Sequence, residues 1–198
     1  MKKLVAVLYI LLSLCTAPSF ADEYHFDKEH TTILFFINHL GFSDKIGRFI
    51  DYDGHLNFDE EYPEKSEIHV TIRPSGIRTD SEKLDKELQK KDWFNSEVYP
   101  EITFHSTQIK LNRGKKAEVS GWMNMLGKEQ FVTLHTTFNK SGEHPITKNH
   151  IAGFSADTTI NRSHFGMNNS VPLVGENVRM HIEAEFIRDE DDPEFSLK

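Results

Sequence analysis

The sequence has almost no cysteine, since Cys15 is the only one among its 198 residues. Cys15 lies in an N-terminal segment with the pattern of a cleaved leader, so the mature chain would carry no disulfide and no thiol. Small exported domains that lack a sufficient core usually depend on disulfides. We therefore expect an apolar core to stabilise this chain, which is long enough for one domain with such a core.

The N-terminal segment has the three parts of a secretory signal peptide. It starts with Met1-Lys2-Lys3, continues without charge from Leu4 to Leu14, and reaches the small-x-small site Ser19-Phe20-Ala21. The apolar part is shorter than the roughly 20 residues that span a bilayer. The sequence thus predicts a signal peptide over 1–21, cleaved after Ala21, and an exported protein.

Basic residues and further long apolar runs are also scarce. The chain has 23 Lys and Arg against 31 Asp and Glu, which gives a net charge of −8. This balance disfavours binding to nucleic acid and to anionic membrane surfaces, because both attract basic patches. No apolar run after the leader is long enough to span a membrane, so we expect no transmembrane segment in the mature chain.

Motifs of catalysis and metal binding are missing as well. The sequence contains no Gly-x-Ser-x-Gly elbow, no Walker A motif and no Gly-x-Gly-x-x-Gly loop. Its 11 histidines include no His-x-His or His-x-x-x-His pair, although zinc sites usually have one close pair of ligands. These absences predict a protein that is not an enzyme and holds no metal.

Most of the mature chain alternates between apolar and polar residues, which is typical of β-strands with one buried face. The clearest run places Val178, Met180, Ile182, Ala184 and Phe186 on one face. About eight such strands are predicted, near 31–40, 47–59, 66–74, 101–111, 117–126, 129–138, 150–161 and 176–187. Eight antiparallel strands can close into a barrel or form a sandwich, and periodicity alone does not distinguish the two.

One segment breaks the strand pattern. From Thr79 to Phe94 the spacing predicts an amphipathic helix, with Thr79 and Glu82 as a capping box and Leu84 and Leu88 on one face. This helix would lie on the barrel or cover its mouth. The acidic residues of 188–198 predict a loose, solvated tail.

The apolar residues allow two interpretations of the barrel interior. Positions Ile33 to Ile37 are all apolar, which suggests that both faces of this strand are covered. The chain also has 15 phenylalanines, which could fill a packed core or line a tunnel. The sequence alone favours a filled core.

Three polar residues stand in apolar surroundings: His39, Asp157 and Arg162. An ion pair between Asp157 and Arg162 would tie the barrel together. Alternatively, these side chains would contact the polar head of a ligand at the barrel mouth. The residues themselves leave both readings open.

The order of several short motifs is similar to that of the YceI-like family, over about residues 24 to 187. The last of them, Arg162-Ser163-His164-Phe165-Gly166, resembles the family's Arg-x-x-Phe/Trp-Gly signature. The others are Phe35-Phe36-Ile37-Asn38-His39-Leu40-Gly41, Gly47-Arg48-Phe49, Asp53-Gly54-His55-Leu56, Ile77-Arg78-Thr79, Lys91-Asp92-Trp93-Phe94, Tyr99-Pro100-Glu101-Ile102-Thr103-Phe104-His105-Ser106, Val119-Ser120-Gly121-Trp122-Met123 and Leu126-Gly127-Lys128.

The resemblance implies an all-β fold over 22–187: an extended, lipocalin-like, antiparallel eight-stranded β-barrel with one inserted helix. It implies a periplasmic protein that binds a long-chain lipid, either a polyisoprenoid, a quinone-type molecule or an acyl lipid, without a covalent cofactor. It also implies a homodimer as one expected state. Two alternatives remain: a redox or enzymatic partner acting on a bound quinone, and a ligand-free, stress-protective interaction protein.

The resemblance reverses the preference for a filled core. It implies an apolar lumen lined by Phe35, Ile37, Phe104, Phe154, Phe165 and Met167. The lipid head group would then lie at the mouth, near His39, Asn161 or Arg162.

Overall fold

The computed structural model describes residues 21–193 and Phe195, so the predicted leader lies almost entirely outside the described residues. Within them the chain forms eleven strands and one α-helix. The elements are β1 (Asp22–Phe26), β2 (Thr32–His39), β3 (Ser43–Phe49), β4 (Tyr52–Phe58), β5 (Glu67–Ile72), β6 (Ile77–Arg78), α1 (Glu82–Leu88), β7 (Ile102–Leu111), β8 (Lys116–Met125), β9 (Lys128–Glu143), β10 (His150–Asn161) and β11 (Val174–Arg188).

The sheet closes on itself because β1 pairs with β4 on one side and with β11 on the other. Tyr24 of β1 lies opposite Leu56 of β4 and Arg188 of β11. The eleven strands occupy eight positions around the barrel, because three positions are each shared by two consecutive strands. These pairs are β1 with β2, β3 with β4, and β5 with β6. The predicted antiparallel eight-stranded barrel is confirmed, and its closure removes the free edges that invite aggregation.

The predicted strand 47–59 is in fact two strands, β3 and β4, separated at Ile50 and Asp51. Here the backbone bonds leave the regular ladder: Ile50 donates to the carbonyl of Gly76 at 3.0 Å, and Asp51 accepts from Arg73 at 2.8 Å. A Cβ on residue 76 would lie 2.4 Å from the Cβ of Asp51. Glycine at this position therefore allows the close approach that bends the barrel wall.

A two-residue turn joins β8 and β9. Its two central residues are Leu126 and Gly127, with φ of 54° and 69°. Met125 and Lys128 pair directly across it. Two successive positive φ angles are typical of a type I′ turn, whose twist matches that of the flanking strands.

The inserted helix is much shorter than the predicted segment 79–94. Ser81, not Thr79, caps α1, and its hydroxyl accepts from the backbone N–H of Leu84. Thr79 instead donates its N–H and its hydroxyl to the Asp85 carboxylate, at 2.8 and 2.6 Å. These bonds hold the strand before α1 against the helix, so α1 covers one end of the barrel, called here the helical end.

The opposite end, called here the hairpin end, carries the β7–β8 turn, the β9–β10 loop and the C-terminal segment. Part of that segment differs from the loose tail that the sequence predicts. The imidazole of His25 bonds to Asp189 at 2.8 Å and to Asp192 at 3.0 Å, and the ring of Phe195 stacks on it at 4.1 Å. The described part of the tail therefore packs against β1.

None of the helices in the described residues combines the length and the apolar character that crossing a membrane requires.

Candidate functional site: an apolar lumen in two cavities

The interior of the barrel contains two cavities that open towards opposite ends. The helix-side cavity has a volume of about 490 Å³ and the hairpin-side cavity about 390 Å³. Both result from strand alternation, which turns one apolar face of every strand inwards. Their walls are mainly aliphatic, aromatic and methionine side chains, and polar groups lie mostly at the two mouths.

The hairpin-side cavity is framed by a group of aromatic rings. Phe154 of β10 contacts its neighbours with ring centroids 5.3 to 6.0 Å apart. These neighbours are Phe58, Phe138 and Phe186. The contacts with Phe58 and Phe186 are edge-to-face and that with Phe138 is tilted. Such contacts hold the rings in place, so the rings act as walls around the space.

Three side chains border both cavities: Ile72 of β5, Met123 of β8 and Met180 of β11. They form a partition between the two spaces. Methionine side chains are unbranched and flexible, and they adapt readily to irregular neighbours. A hydrocarbon chain longer than one cavity could therefore pass if the two methionines changed rotamer.

The structure places five of the six predicted lining residues at these cavities. Phe35, Ile37 and Met167 border the helix-side cavity, and Phe104 and Phe154 border the hairpin-side cavity. Phe165 borders neither, so the prediction that it lines the lumen is wrong. It lies in the 3-10 turn Arg162–Phe165 after β10 has ended, where strand alternation no longer fixes the direction of a side chain.

The predicted ion pair between Asp157 and Arg162 is wrong. Arg162 is only 1% exposed and donates to four backbone carbonyls at 2.8 to 2.9 Å. These carbonyls belong to Met167, Asn169, Val174 and Gly175. Four of the five guanidinium N–H groups thus hold the connection between β10 and β11, and burial lowers the pKa of Arg162 from its ordinary value.

Asp157 lies on the outer face of β10 and pairs with His181 of β11. The distance from Asp157 Oδ1 to His181 Nδ1 is 2.8 Å, and His181 Nε2 lies 3.0 Å from Glu183 Oε1. The hydrogen bond to Asp157 is the largest cause that raises the pKa of His181. The pair is a surface feature, on the other side of the wall from the lumen.

Of the predicted head-group residues, His39 is at the mouth and Asn161 is not. His39 borders the helix-side cavity together with Ser43 and Lys45. Asn161 instead accepts a hydrogen bond from the N–H of Ser163 at 2.9 Å and donates to Glu176 at 3.2 Å. Its neighbour Ile160 faces the lumen, so alternation turns Asn161 outwards.

Trp93 is a polar group of the helix-side cavity that the sequence did not single out. It borders this cavity, and its ring lies 5.5 Å from the guanidinium of Arg162. Within the described residues, nothing accepts a hydrogen bond from its buried indole Nε1. A bound ligand with an oxygen atom could satisfy this donor.

An outer groove of about 570 Å³ lies between β9 and β10 at the helical end, and it is bordered by Asn161 and by the buried Phe165. The two strands pair only up to Asp157 and His135, and beyond that point Thr158 bonds the carbonyl of Thr133. Because charged and polar side chains contribute strongly to this groove, it is unsuited to a hydrocarbon tail.

Four histidines form a row across the outer face, which their spacing in the sequence conceals. His25, His55, His69 and His105 are successive cross-strand partners on β1, β4, β5 and β7. The rings of His69 and His105 are nearly parallel, with centroids 6.2 Å apart. A search for close pairs along the chain cannot find such neighbours, because the sheet brings them together.

One group of side chains in the described residues brings three potential metal ligands together: Asp27, His30 and Glu185. The Asp27 carboxylate already accepts from the backbone N–H groups of Glu29 and His30, and it lies 2.7 Å from His30 Nδ1. Side-chain bonds of this kind are typical of an Asp-stabilised turn. The geometry is explained by the turn between β1 and β2.

Known proteins resemble this chain over most of its length. The family described as the YceI-like domain matches residues 24–186. A UPF0312 protein of Pseudomonas aeruginosa LESB58 is 34% identical over 191 residues, which covers 95% of this chain and 99% of the relative. A UPF0312 protein of Pseudomonas putida GB-1 is 36% identical over 170 residues, 84% of this chain and 88% of the relative.

Solved structures share the fold. The chain superposes on Burkholderia cenocepacia BcnA with a TM-score of 0.74 at 21% identity, covering 81% of this chain and 98% of that one. The Campylobacter jejuni YCEI protein gives 0.70 at 25% identity, with 77% and 90% covered. A polyisoprenoid binding domain from Saccharophagus degradans gives 0.65 at 10% identity, with 85% and 99% covered. With a family match from β1 to the end of β11, the chain belongs to the YceI-like family.

Proposed function

We propose that this protein is a periplasmic carrier that binds a long-chain amphiphilic lipid inside the barrel. The observation that carries the proposal is the pair of apolar cavities that meet at Ile72, Met123 and Met180. Together they offer an apolar path from one end of the barrel to the other once the methionines of the partition change rotamer. The ligand class is a polyisoprenoid, a quinone-type molecule or an acyl lipid, and the leader predicted over 1–21 supports export.

The physical basis of binding is the burial of the tail. Each methylene group removed from water contributes roughly 0.8 kcal/mol before ordering costs. A tail that occupies both cavities can therefore bind tightly without a polar contact. Selection among tails would depend on length and width, because an apolar pocket discriminates weakly between similar chains.

The helical end suits the polar head of the ligand. His39, Ser43 and Lys45 surround the mouth of the helix-side cavity, and Trp93 offers its indole N–H. A polyisoprenoid binding domain is among the structural neighbours, which supports the ligand class proposed here.

We propose binding rather than catalysis, because Arg162, Lys45 and Thr79, which border the lumen, are engaged in holding the fold. Arg162 donates to four backbone carbonyls. Lys45 donates to the carbonyl of Thr79 at 2.6 Å, and Thr79 donates to Asp85. Groups that act as acids, bases or nucleophiles must be able to reach a substrate, and these are directed to other protein atoms.

The test is to extract the purified protein with organic solvent, identify its lipid by mass spectrometry, and titrate the stripped protein with a prenylated quinone. Ala156→Phe fills part of the hairpin-side cavity, which Ala156 borders. Thr159→Phe is the control, because Thr159 is exposed on the same strand. We expect Ala156→Phe to weaken ligand binding by about tenfold or more, because the added ring occupies the space of several methylene groups of the tail.

The proposal fails if the stripped wild-type protein binds no tailed ligand, or if Ala156→Phe binds as tightly as the wild type. Circular dichroism of each variant establishes that the barrel is folded. Ala184→Leu adds a smaller side chain to the same cavity, and it gives the same test if Ala156→Phe does not fold.

A further inference from the structure

The turn between β2 and β3 exposes large apolar side chains to solvent. Phe42 is 87% exposed and Leu40 is 45% exposed. Leu173, from the connection between β10 and β11, is 64% exposed and lies beside them, because its carbonyl accepts the N–H of Leu40 at 2.9 Å. We call these three residues the apolar tip.

The apolar tip has a fixed shape. Leu40 and Gly41 both have positive φ, 57° and 76°. The N–H of Phe42 donates to the carbonyl of His39 at 3.0 Å, and that of Gly41 donates to the side chain of Asn38 at 2.9 Å. A leucine with positive φ is uncommon, so the chain holds an unfavourable backbone conformation here while it displays apolar side chains to water.

The apolar tip borders the mouth of the helix-side cavity. His39 and Ser43, on either side of the turn, both line this cavity. Val174, which follows Leu173, lines it as well. The exposed apolar surface is therefore continuous with the entrance of the lumen.

We propose that the apolar tip inserts into the surface of a lipid bilayer and holds the mouth of the helix-side cavity against it. The tail of the ligand then moves between bilayer and cavity without crossing water. This inference rests on the proposed function, because it names the surface from which the carrier would load and to which it would deliver.

The size of the tip favours a bilayer over a second protein. A stable protein interface buries about 800 Å² on each partner, and three side chains on a narrow turn cannot supply such an area. A membrane surface needs only a few inserted apolar side chains, since each buried side chain contributes separately. Phe42 is the main contributor, because it is the most exposed of the three, and phenylalanine is among the residues that membrane-surface segments bury at the boundary of head groups and acyl chains.

The charges around the tip favour lipids that carry no net charge. Asp44 is paired with Arg179 at 2.9 Å, and Lys45 is turned towards Thr79. The whole chain has a net charge of −8, which opposes approach to an anionic surface. The target surface is therefore zwitterionic, such as phosphatidylethanolamine with phosphatidylcholine.

The experiment measures binding of the full mature chain to vesicles of phosphatidylethanolamine and phosphatidylcholine by co-sedimentation. Phe42→Ser should weaken this binding by about tenfold or more, as expected from losing one buried aromatic side chain. Ile146→Ser is the matched control, because Ile146 is 83% exposed in the β9–β10 loop at the hairpin end. It should bind vesicles as the wild type does.

Titration with a soluble, short-tailed quinone separates this inference from the proposed function. We expect wild type, Phe42→Ser and Ile146→Ser to bind it equally. Suppose that all three proteins bind the quinone equally. The membrane inference is then overturned, and the carrier stands, if the wild type does not bind vesicles or if Phe42→Ser binds them as well as the wild type. Self-association through Phe42 without vesicle binding also overturns it. If none of the proteins binds the quinone or a long-tailed lipid, the carrier itself is refuted.

Discussion

Arg162 shows how one side chain can stabilise a connection that has little secondary structure of its own. Its guanidinium holds four carbonyls between Met167 and Gly175. We expect Arg162→Met to lower the free energy of unfolding by about 3 kcal/mol, because bonds to a charged donor contribute roughly 1.5 to 3 kcal/mol and buried carbonyls lose their partners. Urea unfolding measures this loss.

The matched control is Arg179→Met. Arg179 is an arginine of the outer face that pairs with Asp44, and its side chain is 60% exposed. Exposed ion pairs contribute no more than about 1 kcal/mol, so this variant should remain close to the wild type. Equal losses for the two variants would contradict the structural role assigned to Arg162.

We expect His181 to make the stability of the barrel depend on pH. The hydrogen bond to Asp157 raises its pKa above the ordinary value of 6.5, so the folded state favours the imidazolium. This stabilisation is complete below the pKa of the unfolded chain, and it is lost as the pH rises through the higher folded pKa. Because the ring is 38% exposed, solvent screening limits the effect to about 1 kcal/mol or less.

The measurement compares the free energy of unfolding of wild type and His181→Asn at acidic and at mildly alkaline pH. The wild type should have the higher free energy of unfolding at acidic pH, and this advantage over His181→Asn should vanish at alkaline pH. His135→Asn is the control, since His135 lies opposite Asp157 on the other side and its loss leaves the Asp157–His181 bond in place. A difference that grows with rising pH would contradict the assignment.

Trp93 should distinguish ligands by their polar head. Trp93→Phe removes the unpaired indole N–H but keeps an aromatic ring beside Arg162. We expect binding of a quinone or an alcohol with a prenyl tail to weaken by roughly two- to tenfold, the value of one hydrogen bond, while a plain hydrocarbon of the same length is unaffected. Calorimetric titration tests this, with the surface variant Trp122→Phe as the control; equal losses for both ligands would contradict it.

At this scale the sequence indicates which polar residues stand in apolar surroundings, but not what they contact. Arg162 was recognisable as unusual, yet its partners are backbone carbonyls. Every residue carries a backbone carbonyl, so the sequence does not show which carbonyls will accept the hydrogen bonds. The sequence also predicts the wrong partner for Asp157. Its real partner, His181, is far away along the chain and adjacent only across the sheet.

Among the elements, strands were predictable wherever one face alternates cleanly with the other. The apolar positions of β11 and β10 face inwards as expected. The strand β1 was missed, because Asp22–Phe26 offers only Tyr24 and Phe26 as alternating apolar positions. The helix was predicted too long, since Thr79 and Glu82 have the spacing of a capping box, whereas Thr79 binds Asp85 and Ser81 caps the helix.

The partition between the cavities should govern the length of tail that the lumen accepts. Met123→Phe places a stiff ring where a flexible side chain now stands between the two spaces. We expect this variant to bind short-tailed ligands nearly as the wild type does, and long-tailed ligands about tenfold or more weakly, because the methylenes beyond the partition stay in water.

Met125→Phe is the control for this prediction. Met125 borders only the helix-side cavity, two residues along the same strand face. Bulk at this position should weaken binding of short and long tails alike. A series of ligands that differ only in tail length, titrated against both variants, measures the effect. If Met123→Phe showed no dependence on length, the cavities would not act as one path.

For the whole molecule, antiparallel strands and short turns could be predicted, but closure could not. Closure depends on β1, whose five residues join β4 and β11. Whether the interior is filled or hollow was also beyond the sequence, because the same phenylalanines serve either purpose. Their edge-to-face contacts around Phe154 hold the rings against the wall, and the family resemblance, not periodicity, favoured this outcome.

We propose that a hydrocarbon tail occupies the lumen and passes the partition at Met123 and Met180. A crystal structure with a long-chain lipid brominated at the end of its tail tests this most directly, since anomalous scattering locates the bromine. With the head at the helical end, we predict a bromine peak among Phe58, Phe138 and Phe154 in the hairpin-side cavity. Peaks confined to the outer surface, with the side chains of the lumen unmoved, would show that the tail does not enter the barrel.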